Sequence, residues 1–229
     1  ATGNRLTLGV GHGAQFLVET HYGLPYANPA RHLWDYLAVL APLLRGEEVA
    51  FAGETLAAEG SVAVPGAAPP PLLISALGPV MLRLAGEAAD GTVTAFTGPT
   101  ALGGYVVPTI SDAAAAAGRP APRIAAGVTV CVTDDEAGAR GALAEQIGFF
   151  GDMPSYRAML DREGVAGVAD VALVGDERAV EEGVRRYAEA GATDLIASPF
   201  GSAAERTRTI GLLASLARAG SGHRALAAA

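Results

Sequence analysis

The chain has 229 residues, 50% hydrophobic and 17% charged, which excludes intrinsic disorder and predicts one large domain or two small ones. Its net charge is −8 and all sixteen basic residues are arginines, a balance that argues against nucleic acid and anionic membranes as partners. Cys131 is the only cysteine, so an internal disulfide and a cysteine-based zinc site are excluded. With no long apolar run and no signal sequence before the first strand, a cytoplasmic protein is expected.

The first predicted element is a short strand over residues 6–10 that runs into a glycine-rich turn, LGVGHG. Glycine after a strand lets the main chain approach a ligand closely. Because the chain opens directly on this strand, we expect that an earlier part of the fold is missing.

A helix is predicted from Asn28-Pro29, a capping residue followed by proline, to Gly46. Leucines 33, 37, 40 and 44 share one face of it, and Pro42 should kink or shorten it. Partial alternation over residues 47–66 predicts a hairpin excursion. The proline-rich run that follows, residues 67–71, is expected to be a stiff link.

Four more strands follow, over residues 72–75, 92–96, 124–132 and 193–198, each leading to a helix. Asp134-Asp135 and Asp176-Glu177 stand at helix starts, where capping explains them better than paired catalytic carboxylates do. Cys131 is expected to be buried and inert. We expect a single domain over residues 1–220 and a frayed tail over residues 221–229.

Alternating strands and helices predict right-handed βαβ units around a parallel sheet. A doubly wound sheet would be complete with the five principal strands. An eight-stranded barrel usually needs about 250 residues, so a barrel implies three strand–helix units before residue 1. Composition alone leaves both architectures open.

The glycine turn, Gly9-x-Gly11-x-x-Ala14, loosely matches the dinucleotide-binding fingerprint. That site needs a long helix opening inside the motif and an acidic residue about twenty positions later, at the end of a second strand. Instead Tyr22-Gly-Leu-Pro-Tyr26 interrupts the segment, and Asp35 falls inside a predicted helix. The nicotinamide interpretation is therefore disfavoured.

Four stretches, in order, resemble the luciferase-like flavin and deazaflavin oxidoreductases. They are the opening GNRLTLGVGH, the segment LLISALGP with LAGEAADG, residues 123–137, and VGDE leading to residues 195–200. Tyr22-Gly-Leu-Pro-Tyr26 and residues 154–160 are most similar to members that use the deazaflavin coenzyme F420, with FMN as the alternative. The resemblance implies a (βα)8 TIM barrel, here truncated to strands 4–8.

The resemblance also implies cofactor contacts at the ends of strands four and five, on Val10, Gly11, Ala76, Leu77 and Gly78. Gly78-Pro79 opens a helix, whose free amides and positive dipole end suit a phosphate, although the pair is also an ordinary turn. Further cofactor contacts would come from the first three strands.

His12 is the candidate catalytic residue and a further cofactor contact, since an imidazole at a strand end can bond a ring, a phosphate or a substrate. A histidine that touches only water is the alternative. His21, His32 and His223 have no metal-ligand spacing, so no metal site is predicted.

These features predict an oxidoreductase or monooxygenase that transfers hydride or oxygen to a small organic substrate, although the fragment alone is expected to be inactive. The alternatives are a phosphate-binding barrel lyase or isomerase, and a non-catalytic flavin-binding relative. A homodimer is a candidate assembly.

Overall fold

The computed structural model describes residues 3–219 and 224–227. Within them lie nine strands: β1 Leu8–Val10, β2 Val49–Ala52, β3 Ala57–Gly60, β4 Leu72–Ser75, β5 Gly91–Ala95, β6 Arg123–Val132, β7 Leu173–Gly175, β8 Asp194–Pro199 and β9 Arg224–Ala227. The helices are α1 Pro29–Leu44, α2 Pro79–Ala88, α3 Pro99–Ala101, α4 Val107–Ala116, α5 Glu136–Ile147, α6 Pro154–Glu163, α7 Glu177–Glu189 and α8 Ala203–Ala219. Short π-helical turns span Leu17–His21 and Leu102–Val106, and 3-10 turns span Gly148–Asp152 and Val168–Val171.

Seven of the strands form one parallel sheet in the order β1-β4-β5-β6-β8-β9, and β7 pairs with the last three residues of β6. The predicted order of the five principal strands is therefore confirmed. In a doubly wound sheet the strand order would reverse around the first strand. The observed order does not reverse there, so the doubly wound alternative was wrong. In the described part of the chain no ladder joins the first strand to the last, and the sheet is not a closed barrel.

A barrel truncated to strands 4–8 predicts that its first and last strands, β1 and β8, are the two open edges of the sheet and are not paired with each other. They are not paired with each other, and β1 pairs only with β4 among the described residues. The prediction was wrong for β8, because β9 adds alongside it in parallel register, from Asp194↔Arg224 to Ala197↔Ala227. Four residues of the tail expected to fray thus form a strand, and the rest of residues 220–229 lies outside the described residues.

The sheet is curved, with its odd-numbered residues from β1 to β6 on the concave face. Gly9, Leu73, Gly91 and Arg123 are in register across β1, β4, β5 and β6. Arg123 donates from Nη1 to the Thr7 hydroxyl at 3.1 Å. Three strand spacings would separate these two residues by about 14 Å in a flat sheet, farther than an arginine side chain reaches. The sheet therefore bends like the wall of a barrel.

The largest apolar core lies on the opposite, convex face. Ile74, Ile124 and Val128 pack there with Leu82 of α2 and Ile110 of α4. The return helices thus cover the convex side, as they do in a (βα) barrel. They leave the concave face for a site.

Several local expectations are confirmed or corrected by the structure. Cys131 is fully buried, and Asp135 and Asp176 cap α5 and α7 by accepting from the amides of Gly138 and Ala179. Asn28 precedes α1 in a left-handed conformation, φ 49°, and its side chain makes no capping hydrogen bond. The predicted capping by this side chain was therefore wrong. The hairpin expected in residues 47–66 corresponds to the antiparallel pair β2–β3.

Residues 133–175, between β6 and α7, form a layer of short elements. Leu143 of α5 packs with Cys131 and Val174, and Leu160 of α6 packs with Val168 and Val171. β7 continues the sheet beyond the end of β5, because it pairs only with Val130–Val132. This layer, called the rim layer below, lies at the carboxyl end of the sheet.

Candidate functional site

The carboxyl ends of β1, β4 and β5 lie side by side on one rim of the sheet, because the three strands are parallel neighbours. Gly11 follows β1 and packs on the end of β4: a Cβ on Gly11 would stand 3.0 Å from the Cβ of Ser75. Ser75 is itself solvent-exposed. The segments Val10–His12 and Ala76–Gly78 therefore meet at this rim.

The concave face below this rim carries both larger side chains, such as the buried Leu73, and small ones. Gly9, Ser75, Ala95 and Gly127 lie on it in four neighbouring strands, and each is at least partly exposed. Deeper in the concavity, Arg123 pairs with both carboxylate oxygens of Asp194, at 2.8 and 3.1 Å. The face is thus a shallow bowl whose exposed residues are small and whose floor is polar.

Two helix starts on the rim share the sequence Gly-Pro but differ in how their amides are satisfied. At α3, which follows Gly98, the Glu163 carboxylate accepts from the amides of Thr100 and Ala101, at 3.3 and 2.8 Å. At α2, which follows Gly78, none of the described groups accepts from the amides of Val80 or Met81. Only the α2 start remains available to an external anion.

Gly78 leaves space at this open helix start. No atom lies within 4 Å of the position that a Cβ would take, and the backbone is extended, at φ −76° and ψ 158°. Leu77 and Ala76 beside it are buried, with 9% and 2% exposure. The main chain rather than a side chain therefore forms the surface here.

His12 stands at the end of β1 in contact with Tyr26. The Nδ1 atom of His12 is hydrogen-bonded to the Tyr26 hydroxyl. That hydroxyl donates to the carbonyl oxygen of Gly13 at 2.9 Å. Burial lowers the pKa of His12 below its ordinary value, and its hydrogen bond to the Gly13 backbone acts in the opposite direction. Burial, with a smaller effect of Glu19, raises the pKa of Tyr26. A neutral imidazole beside a protonated phenol is favoured.

The other histidines are not brought to this site. His21 packs against Phe16, His32 bonds the Thr55 hydroxyl at 3.0 Å, and His223 lies outside the described residues. Over the residues that the structure describes, no cluster of three or more histidine, cysteine or acidic side chains could hold a metal ion. Within the same residues, no helix is long and apolar enough to cross a membrane.

Sequence reasoning missed the aromatic group between the rim and the rim layer. Phe96, just after β5, has φ 50° and packs edge-on against Tyr156 at 5.0 Å. Phe150 contacts both rings, and Phe149 stacks on Phe150 at 4.2 Å with 54% of its surface exposed. The sequence shows only separate aromatic residues, because the contacts depend on how the rim layer folds back.

A cavity of about 560 Å³ lies farther along the same rim, between α5 and the start of α8. Its lining includes Gly138, Ala142 and Phe200, with Arg206 as its cation. A second cavity of about 510 Å³ lies at the other end of the sheet, between the end of α1 and residues 62–70. Only the first is close to strand carboxyl ends, where barrel enzymes bind ligands.

Comparisons with known proteins agree with this architecture. The model of the luciferase-like monooxygenase family matches residues 1–194, and the chain belongs to that family. A 5,10-methylenetetrahydromethanopterin reductase of Methanolobus tindarius is 29% identical over 146 residues, which are 64% of this chain and 44% of the reductase. The chain spans about half the length, or less, of the curated relatives it matches.

Two solved structures share the fold. The coenzyme F420-dependent tetrahydromethanopterin reductase from Methanopyrus kandleri superposes with a TM-score of 0.75 at 22% identity, over 96% of this chain and 73% of the reductase. The oxygenating constituent of 3,6-diketocamphane monooxygenase from Pseudomonas putida, in complex with FMN, gives 0.67 at 21% identity, over 92% and 70%.

Proposed function

We propose that this chain is part of a deazaflavin- or flavin-dependent oxidoreductase of the luciferase-like class, which acts on a small organic substrate. The observation that carries the proposal is the open start of α2 at Gly78, which stands beside Gly11 on the rim of the concave face. A helix start with free amides suits a phosphate, and the shallow bowl suits a flat ring. Both groups occur in F420 and FMN.

The residues that would hold the cofactor are Val10, Gly11, His12, Ala76, Leu77 and Gly78. Gly78 fits this role because a side chain there would occupy space that is open, and the amides of Val80 and Met81 have no described acceptor. When bound, a deazaflavin carries hydride and a flavin can also activate oxygen. We favour F420 because the M. tindarius relative and the M. kandleri structure are reductases of methanopterin compounds, the latter F420-dependent by name. FMN, which the P. putida structure contains, is the alternative.

We further propose that the five principal strands are strands 4–8 of an eight-stranded barrel. The curved, open sheet and the short coverage of the relatives support this proposal. The surface beside β1 supports it as well: Leu6 is 47% exposed, Phe16 45% and Tyr22 72%. Strands supplied before residue 1 would cover these side chains and the unpaired edge. The chain alone would then be inactive.

His12 is the proposed catalytic residue. Its neutral ring, at the mouth of the bowl, can accept a proton from a substrate hydroxyl. The substrate would lie between this ring and the aromatic group of the rim layer. A cytoplasmic location and a homodimer stay predictions.

The alternative is a phosphate-binding barrel lyase or isomerase, which the open helix start would serve equally well. The test uses the protein extended by its upstream coding sequence, with F420 and FMN titrated separately by fluorescence. We expect binding of F420 and consumption of its reduced or oxidised form with an organic substrate. Binding of inorganic phosphate without either cofactor would favour the lyase or isomerase. Cofactor binding without turnover across a substrate panel would favour a non-catalytic relative.

A further inference from the structure

The hydrogen bonds around Tyr26 specify which nitrogen of His12 carries the proton. A tyrosine hydroxyl has one hydrogen, which Tyr26 donates to the Gly13 carbonyl oxygen at 2.9 Å. The hydroxyl oxygen can then only accept from Nδ1 of His12. With the Tyr26 hydroxyl in this orientation, Nδ1 carries the hydrogen, and in a neutral ring Nε2 then has the lone pair.

We propose that Tyr26 is a positioning residue that holds His12 as the Nδ1–H tautomer, so that Nε2 accepts a hydrogen bond from a hydroxyl or N–H group of the substrate. The identity of that donor as substrate rests on the proposed function, whereas the tautomer does not. The described hydrogen-bond partners of the His12 ring are the Tyr26 hydroxyl, at Nδ1, and the Gly13 backbone beside that hydroxyl, which leaves Nε2 available to a ligand.

The surroundings of the pair support a neutral, oriented ring. The ring of Tyr26 stands 5.7 Å from that of His12 and is tilted by 60°, so the two rings are not stacked. The ionisable groups near the pair are Glu19, whose charge acts on Tyr26, and the two rings themselves. Partial burial of His12 disfavours the imidazolium form.

The arrangement defines the proton transfer that His12 can perform. A substrate O–H bond breaks, its electron pair stays on the oxygen, and the proton forms a new bond to Nε2. The imidazolium then donates through Nδ1 to Tyr26, whose oxygen cannot take the proton because its own hydrogen points to Gly13. The substrate class is therefore one with an ionising hydroxyl or N–H group at the reacting centre.

The test is nitrogen NMR of ¹⁵N-histidine-labelled protein without cofactor, in which the shifts and two-bond couplings of Nδ1 and Nε2 identify the tautomer. The signals of His12 are assigned by their loss in His12→Gln. We expect the Nδ1–H pattern in the wild-type chain above the pKa of His12. We expect Tyr26→Phe to increase the Nε2–H form, because the acceptor that holds Nδ1–H is removed. Tyr22→Phe, at an exposed tyrosine, should leave the pattern unchanged.

Two results would overturn the proposal: an Nε2–H pattern for His12 in the wild-type chain, or an unchanged pattern in Tyr26→Phe. If Tyr26→Phe does not fold, the wild-type pattern decides alone. Because the measurement needs no cofactor, failure of F420 or FMN to bind would contradict the proposed function and leave the tautomer result intact.

Discussion

At the scale of single residues, Phe96 shows how the rim obtains its shape. A bulky residue rarely adopts φ 50°, and the conformation costs about 1–3 kcal/mol. The extended chain of β5 ends here, and the ring lies against Phe150 and Tyr156. Packing with these rings offsets the backbone cost.

The strain at Phe96 can be separated from the packing by comparing two substitutions. Both Phe96→Ala and Phe96→Gly remove the aromatic contacts, but only glycine adopts a positive φ freely. We expect Phe96→Gly to be more stable than Phe96→Ala by roughly 1 kcal/mol in urea unfolding. Equal stability, or a more stable alanine variant, would contradict the left-handed conformation at this position.

The sequence predicts which residues lie on the rim, but it does not predict which side chains contact them. Gly78-Pro79 and Gly98-Pro99 look equivalent, as strand-to-helix turns. Only the fold brings Glu163 across from α6 to occupy one of the two helix starts. A contact between residues 62 positions apart leaves no local pattern. The hydrogen bond between His12 and Tyr26 was not predicted because it, too, depends on how the chain folds back.

At the scale of secondary-structure elements, Glu205 joins the start of α8 to the end of β6. Its carboxylate accepts from the hydroxyls of Thr133 and Ser202, at 2.6 and 2.7 Å, and from the amide of Ser202. These bonds lower the pKa of Glu205 from 4.5 to about 2. The folded state therefore binds this proton less readily than the unfolded state does.

The lowered pKa gives a stability contribution that is present above pH 4.5 and is lost as the pH falls from 4.5 to about 2. We expect Glu205→Gln to be less stable than wild type near neutral pH, and to lose less stability across that acid window. Thermal unfolding across the window measures this difference. Glu145→Gln, at an exposed glutamate of α5, is the control and should follow the wild-type profile. Parallel profiles of Glu205→Gln and wild type would contradict the contribution.

Elements with a clear pattern were predicted closely, and those without one were not. The apolar run LLIS gave β4 at its observed bounds, and the leucine spacing and Gly46 gave α1 within two residues of its end. β1 begins two residues later than predicted, because Leu6 is exposed rather than paired. No sequence pattern predicts β9, because the alanine-rich sequence RALA has low strand propensity. It forms a strand by pairing with the free edge of β8.

In the molecule as a whole, β9 covers the edge of the sheet at β8. At the opposite edge, β1 pairs only with β4 among the described residues. An unpaired parallel edge exposes a row of amides and carbonyls and promotes association. We expect a chain that ends at Ala219 to unfold at a lower temperature and to self-associate more than the full chain. A chain that ends at Ala227 keeps the β8–β9 ladder and is the control. Identical unfolding of the two shortened chains would show that β9 adds nothing to stability.

The rim between Gly11 and Gly78 is the proposed binding site for a phosphate-bearing cofactor. Valine at Gly78 fits the observed backbone and open space, so we expect Gly78→Val to change the free energy of unfolding by no more than about 1 kcal/mol. In a protein that contains the proposed strands 1–3 as well, the new side chain would cover the free amides of Val80 and Met81. We therefore expect Kd for F420 to rise by at least about tenfold, or 1.4 kcal/mol.

The most direct measurement is the fluorescence titration of F420 into that extended protein, for wild type, Gly78→Val and Gly167→Val. Gly167 is the matched control, since it also precedes a helical turn with an extended backbone and has no atom within 4 Å of its Cβ position. If the Gly78 rim binds the cofactor, wild type and Gly167→Val bind F420 tightly and Gly78→Val binds it weakly. An equal Kd for all three proteins, or no binding of F420 or FMN by the wild type, would contradict it.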